Sequence, residues 1–195
     1  MLDAARDLMD SRSFDEIAVR EIPDRLGLAK GTVYRYFGSK EEVFLSVLDQ
    51  DLADYAGEMV TALRPLSGTD DIEAVTEAIT ACTVARPRLC QLMALLPTVL
   101  ERNVSEPAAF QFKTTVAAAI KETSEAVGDA LPCLDRAAIP ALVVTFYSLV
   151  TGLWTTAHPH AAVASAMADP GLAFLKIDFG EHLYASLRAL LKGSC

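Results

Sequence analysis

Arg20-Glu-Ile-Pro-Asp-Arg-Leu-Gly-Leu-Ala-Lys-Gly-Thr-Val-Tyr-Arg-Tyr-Phe-Gly-Ser-Lys40 reads as two short amphipathic segments hinged at a glycine. The first ends at Leu26 and meets Gly27, which takes the positive φ of a tight turn without steric cost. The second runs from about Lys30 to Tyr36. Ile22, Leu26, Leu28, Val33 and Phe37 are spaced to face inward and pack the two across each other. That is a helix-turn-helix, whose second helix suits the major groove of DNA. The stretch holds five basic residues and two acidic ones, Glu21 and Asp24, with Tyr34 and Tyr36 interleaved. Hydroxyls and cationic groups both suit phosphate oxygens.

The composition is globular, at 52% hydrophobic and 22% charged over 195 residues. A net charge of −9 argues against a protein that coats nucleic acid indiscriminately, while leaving room for site-specific binding through a local basic face. Residues 1–50 hold seven Lys/Arg and ten Asp/Glu, so the head is acidic outside its motif and binding should lean on geometry and base contacts. Nothing at the N-terminus resembles a signal peptide. The four cysteines have no metal-ligand spacing, which points to the cytosol with reduced thiols. From Ala137 to Ala168 there is no Asp, Glu, Lys or Arg, but the apolar centre, Ile139 to Trp154, falls short of the ~20 residues a bilayer requires. A helix buried among helices is the expectation, with no membrane.

The quoted stretch closely resembles the DNA-binding domain of the tetracycline-repressor (TetR) family. Gly31-Thr32-Val33-Tyr34-Arg35-Tyr36-Phe37 followed by Ser39-Lys40-Glu41-Glu42 carries the likeness, which begins at Leu2-Asp3-Ala4-Ala5 and covers about the first quarter of the chain. Three departures fall in the motif. Ala18 stands where a capping hydroxyl is usual, Pro23 sits inside the first helix, and Ala29 replaces a serine. The head is therefore expected to be less stable than its relatives.

Along the chain, Leu2 to Arg12 is an amphipathic helix, with Phe14 and Ile17 as core plugs after it. Ser39 caps a long helix to about Leu63, with Glu42 completing a capping box. Further helices are expected from Asp70-Asp71 through Ala85, and from Arg88 to Asn103 with a kink near Pro97. Others should run from Glu106 to about Ala130 and from Arg136 to Ala157, then from Ala161 to Met167 and from about Asp178 to Leu191. No strand pattern competes. The fold class is all-α, with about nine or ten helices: a helix-turn-helix DNA-binding domain over 1–45 and a helical effector-binding and dimerisation domain over 46–195.

The resemblance implies base contacts from Arg20, Lys30, Gly31 and Tyr34, and phosphate contacts from Thr32, Tyr36 and Lys40. Arg35 is either a contact or a solvated surface charge. It also implies a pocket in the later helices, lined by Met59, Met93, Leu96, Phe112, Val116, Phe146, Tyr147 and Trp154. Each of these reads equally well as core. An apolar or aromatic ligand is expected, anchored by hydroxyls such as Thr145 or Tyr147. The helix from Arg136 is apolar nearly all round, and with the stripe Phe179, Leu183, Leu187 and Leu190 it is expected to pair with its twofold mates.

His158-Pro159-His160 lies at a helix break and has no third ligand; a helix-end loop is the simpler reading, and no metal or cofactor is implied. Cys82 and Cys90 flank Pro87, either as a redox pair or as two small buried side chains. No Ser/His/Asp or Cys/His set stands out, so the chain does not read as an enzyme. The expectation is a homodimeric, ligand-responsive repressor of a palindromic DNA operator. The alternative is a helical small-molecule or lipid carrier with a vestigial head.

Overall fold

In the computed structural model, which describes residues 1–29 and 31–195, ten α-helices follow one another, and no strand occurs among the described residues. The head begins with α1 (Leu2–Met9), whose Ala4, Ala5, Leu8 and Met9 are buried. A 3-10 turn, Phe14–Glu16, is closed by Ser13 and Glu16, and Phe14 meets Phe44 edge-on at 5.2 Å. Then come α2 (Glu21–Asp24) and α3 (Thr32–Tyr36), joined through Gly27 at φ +64°. Ile17, Ile22 and Val33 close the small core.

One expectation for the motif changes here, and its two unusual residues, Pro23 and Ala18, are accommodated. Leu26 and Leu28 are 45% and 43% exposed, because α2 stops at Asp24 and both residues lie in the turn. Pro23 does not break its helix. It occupies the first turn, where its missing N–H would have had no intrahelical partner, and its carbonyl accepts from Leu26 and Leu28 at 3.0 Å each. Ala18 does leave α2 without a hydroxyl cap, but the Glu21 carboxylate accepts the Ala18 amide at 2.7 Å and so makes half of a capping box.

The central beam is α4 (Lys40–Leu63), which starts in the head and packs against α1, α5, α6 and α7. Ser39 caps it, its hydroxyl accepting from the Glu42 amide at 3.1 Å. Around it stand α5 (Ile72–Val84), capped by Asp71, α6 (Pro87–Leu95) and α7 (Glu106–Ala130). The predicted Arg88–Asn103 helix is broken rather than kinked. Pro97 cannot donate to the Met93 carbonyl, which accepts from Leu96 and from the Tyr147 hydroxyl instead, and the chain turns until Leu100–Arg102.

Next is α8 (Ile139–Ala157), starting later than expected, then α9 (Ala161–Ala166) and α10 (Phe179–Ser194), capped by Asp178. By length and composition α8 could cross a membrane. In the fold it is a wall packed against α6, α7 and α10. Its outer face, Ala141, Val144, Thr145, Ser148, Gly152, Thr155 and Thr156, is exposed, small and rich in hydroxyls. Of the stripe on α10, Phe179, Leu183 and Leu187 are buried against the chain's own helices, while Leu190 is half-buried. Glu73 on α5 ties α10 down, accepting from Tyr184, Arg188 and Lys192 at 3.2, 2.5 and 2.7 Å. Those three hold its carboxyl down at about 2, Arg188 foremost.

A disulfide joins Cys133, in the α7–α8 loop, to Cys195, with the Cα atoms 5.1 Å apart. This corrects the expectation of four reduced thiols. Cys82 and Cys90 remain free, and burial pushes the Cys90 thiol up to about 12, which leaves it inert as a nucleophile.

Candidate nucleic-acid interface and core cavity

The second helix of the motif is held by its inner side and bare on its outer one. Val33 is fully buried and Phe37 half-buried, while Tyr34 and Tyr36 are 62% and 66% exposed and Arg35 is exposed between them. Gly31 caps α3 on the open side, with nothing within 4 Å of where a Cβ would stand. A groove can therefore approach its backbone closely. Thr32 is half-buried, its amide bonded to the Ala29 carbonyl at 2.8 Å. Arg20 is exposed at the start of α2. Lys30 lies outside the described residues.

Lys40 is placed differently from the expectation of a phosphate contact. Its ammonium bonds the Phe14 carbonyl and lies 3.8 Å from the centroid of the Phe14 ring. Burial pulls its pKa below the usual lysine value, with Asp15, Glu41 and Glu21 working the other way. The side chain folds inward because the turn at Phe14 offers a π face and, beside its bond from Ile17, a second carbonyl lone pair within reach.

Sequence reasoning missed the residues that join head to body. The Asp51 carboxylate accepts from Arg6 of α1 at 3.0 Å and from Arg88 of α6 at 2.9 Å. Arg88 also reaches Asp10 at 2.7 Å, and Arg6 reaches Gln50 at 2.7 Å. Nothing in the periodicity marks these pairs, which lie 37 to 78 residues apart.

The body holds a half-open cavity of about 430 Å³ between α4, α6, α7, α8 and α10. Met59, Met93, Leu96, Phe112, Val116, Phe146 and Tyr147 all line it, together with Ile79, Ile139, Leu187 and others. Trp154 does not. It stacks on His158 at 3.8 Å and meets Phe179 edge-on at 5.1 Å, beyond the cavity. Thr145 also faces outward, its hydroxyl donating to the Ala141 carbonyl at 2.9 Å.

The polar groups of the lining are already partnered. Tyr55 donates to Thr83 at 2.7 Å, since the Thr83 hydroxyl is itself donating to Ile79 at 2.8 Å. Thr123 donates to Ala119 at 2.6 Å, and Tyr147 to Met93 at a long 3.4 Å. Lys113 and Glu101 pair at 2.5 Å, partly exposed. A cavity whose hydrogen bonds are met from within favours a ligand with few of its own. Among the described residues no group of three His, Cys, Asp or Glu could hold a metal ion.

No curated protein matches the chain. Among solved structures, the fatty acid degradation regulator FadR from Bacillus halodurans has a TM-score of 0.61 at 18% identity, over 100% of this chain and 97% of that one. The TetR-family regulator PfmR from Thermus thermophilus gives 0.58 at 13% identity, covering 98% and 96%. The TetR-family repressor AlkX from Dietzia sp. strain DQ12-45-1b, implicated in biodegradation of n-alkanes, gives 0.53 at 18%, covering 89% and 92%. These likenesses are of fold. Two family profiles account for nearly the whole sequence: bacterial regulatory proteins of the tetR family over residues 1–47, and the tetracyclin repressor-like C-terminal domain over residues 49–195. With a bare recognition helix beside the start of α4 and an apolar cavity along its length, the chain belongs to the TetR family of transcriptional regulators.

Proposed function

We propose that this regulator is a repressor that reads a palindromic operator as a homodimer and is released from it by a small apolar effector. The observation that carries the reading is the continuity of α4, one helix that begins beside the exposed Tyr34–Arg35–Tyr36 face and ends as a wall of the apolar cavity. In this division of labour, residues 1–45 contact double-stranded DNA and residues 46–195 hold the effector and the dimer seam. Base contacts are assigned to Arg20, Lys30, Gly31 and Tyr34, and phosphate contacts to Thr32, Tyr36 and Arg35. Such a protein works in the cytoplasm, where the chromosome is.

The lining speaks for an aliphatic or aromatic effector with little polar surface. FadR of B. halodurans, a regulator of fatty acid degradation, and AlkX, implicated in n-alkane biodegradation, are proteins of similar fold concerned with such apolar molecules. The seam is assigned to the outer face of α8, whose small residues let a twofold mate approach closely. Two recognition helices must stand about 34–36 Å apart to enter successive major grooves. A carrier with a vestigial head has no use for three large exposed side chains on α3, so the repressor reading is preferred.

The test is selection of DNA from a random pool by the purified protein, followed by gel shifts. A palindrome should emerge. Tyr34→Ala should weaken it by roughly 1–3 kcal/mol while leaving a scrambled site unchanged. Equal loss on both sites would count against the assignment.

A further inference from the structure

Only three residues, 37–39, separate α3 from α4, and two of them are hydrogen-bonded to groups that also hold the far side of the molecule. Glu42, about nine-tenths buried, spends both carboxylate oxygens on backbone amides. One accepts from Gly38, at the exit of the recognition helix, at 2.7 Å; the other accepts from Ser105, which caps α7, at 2.7 Å. Beside it the Ser39 hydroxyl donates to the Asn103 carbonyl at 2.6 Å, and Asn103 donates back to Glu41 at 3.2 Å. The residues so gripped follow directly on the cavity wall, since Leu96, Pro97 and Glu101 line the cavity and Glu101 holds Lys113 of α7.

We infer that Glu42 is the positioning residue that couples the pose of the cavity wall at residues 96–105 to the pose of the recognition helix. The inference rests on the reading of the cavity as an effector site and names the joint through which that site acts. The carboxyl is held below its usual range, by the Ser105 hydroxyl first and then by the amides of Gly38 and Ser105, so it stays ionised and its bonds are of the stronger, charge-assisted kind. It cannot keep both amides if they move apart. An occupant that displaces the wall takes Ser105 with it, and the carboxylate then serves one partner or the other. Fixing α3 on DNA fixes Gly38, and through Glu42 it fixes the wall. The two effects are one coupling seen from either end.

A purely local role, Glu42 as a capping residue of α4, makes a different prediction for changes made across the joint. Ser105→Pro deletes the body's donor at a residue whose φ of −73° already suits proline. Hydrogen exchange of the full-length protein without DNA should show the Gly38 amide, in the head, exchanging several-fold faster, because a carboxylate that has lost its anchor on the body holds Gly38 less firmly. Glu42→Gln should do the same, and the double variant should add little to either. Wild-type exchange at Gly38 in Ser105→Pro, or additive effects, would overturn the coupling. If Ser105→Pro does not fold, unchanged exchange at Gly38 and Ser105 in Glu42→Gln would overturn it equally. Since these readouts need neither operator nor effector, failure of DNA selection alone would sink the repressor reading and leave the joint standing.

Discussion

The head and the body reach order by different means. In the body, α5 and α10 carry side-chain caps from Asp71 and Asp178, α4 and α7 run for 24 and 25 residues, and a disulfide closes the end of the bundle. In the head, α2 and α3 are four and five residues long and neither has a side-chain cap. Helices so short do not persist alone, because nucleation costs more than a few bonds return. They stand because Ile22 and Val33 are driven into a small core, and because Lys40, Glu42 and Asp51 fasten that core to its support. The head borrows its order from its attachments, which suits the tilting part that the proposed repressor requires.

The largest blow to the body is Leu187→Glu, which places an unpaired carboxylate at a position 3% exposed. It should cost about 4 kcal/mol or more and abolish the helical circular dichroism of the whole chain. A folded monomer instead would show Leu187 to be a seam residue, as the sequence first suggested. Next is Cys195→Ser. The disulfide spans 62 residues, and loop entropy assigns about 4 kcal/mol to such a closure. Melting should fall by roughly 10 °C, with faster exchange along α10 and little change in α3.

The head yields smaller numbers. Lys40→Ala removes a cation from the Phe14 ring and a bond from its carbonyl, a loss of about 1–2 kcal/mol. Exchange across residues 14–17 should rise, and binding should weaken alike on all DNA sequences. If only the salt dependence changes and exchange does not, the ammonium belongs to a phosphate after all. Last is a gain. Ala18→Ser supplies the hydroxyl missing from the half-built box with Glu21, and should stabilise the head by about 1 kcal/mol without moving the melt of the body.

Much of this was legible in the sequence because it depends on neighbours in the chain. Gly27 takes the left-handed turn, Ser39 caps α4, and Val33 faces in while Tyr34 faces out. Of the eight residues the family resemblance suggested for a pocket, seven border the cavity, since a side chain on the inner face of a bundle borders any space at its centre. What escaped depends on partners far along the chain. Whether α10 buries its leucines at home or on a mate depends on where α5 and α8 stand. Trp154 and Phe146 share one apolar helix, yet only Phe146 borders the cavity, a difference of rotation that composition does not encode. Cys133 and Cys195 meet only once α10 has run its full length back to the α7–α8 loop. Lys40 looked like a free cation because the pattern of residues says nothing about the carbonyl of Phe14.

The shared carboxylate of Asp51 sets a limit on modularity. Its two arginines come from opposite sides of the joint, Arg6 in the part that reads DNA and Arg88 in the part that surrounds the cavity. A head grafted from another regulator will seat on this body only if it brings an equivalent of Arg6 and of Asp10. Otherwise Arg88 faces Asp51 with half its partners gone. Evolution faces the same arithmetic, so these four positions should change together or not at all when such proteins exchange their DNA-reading ends.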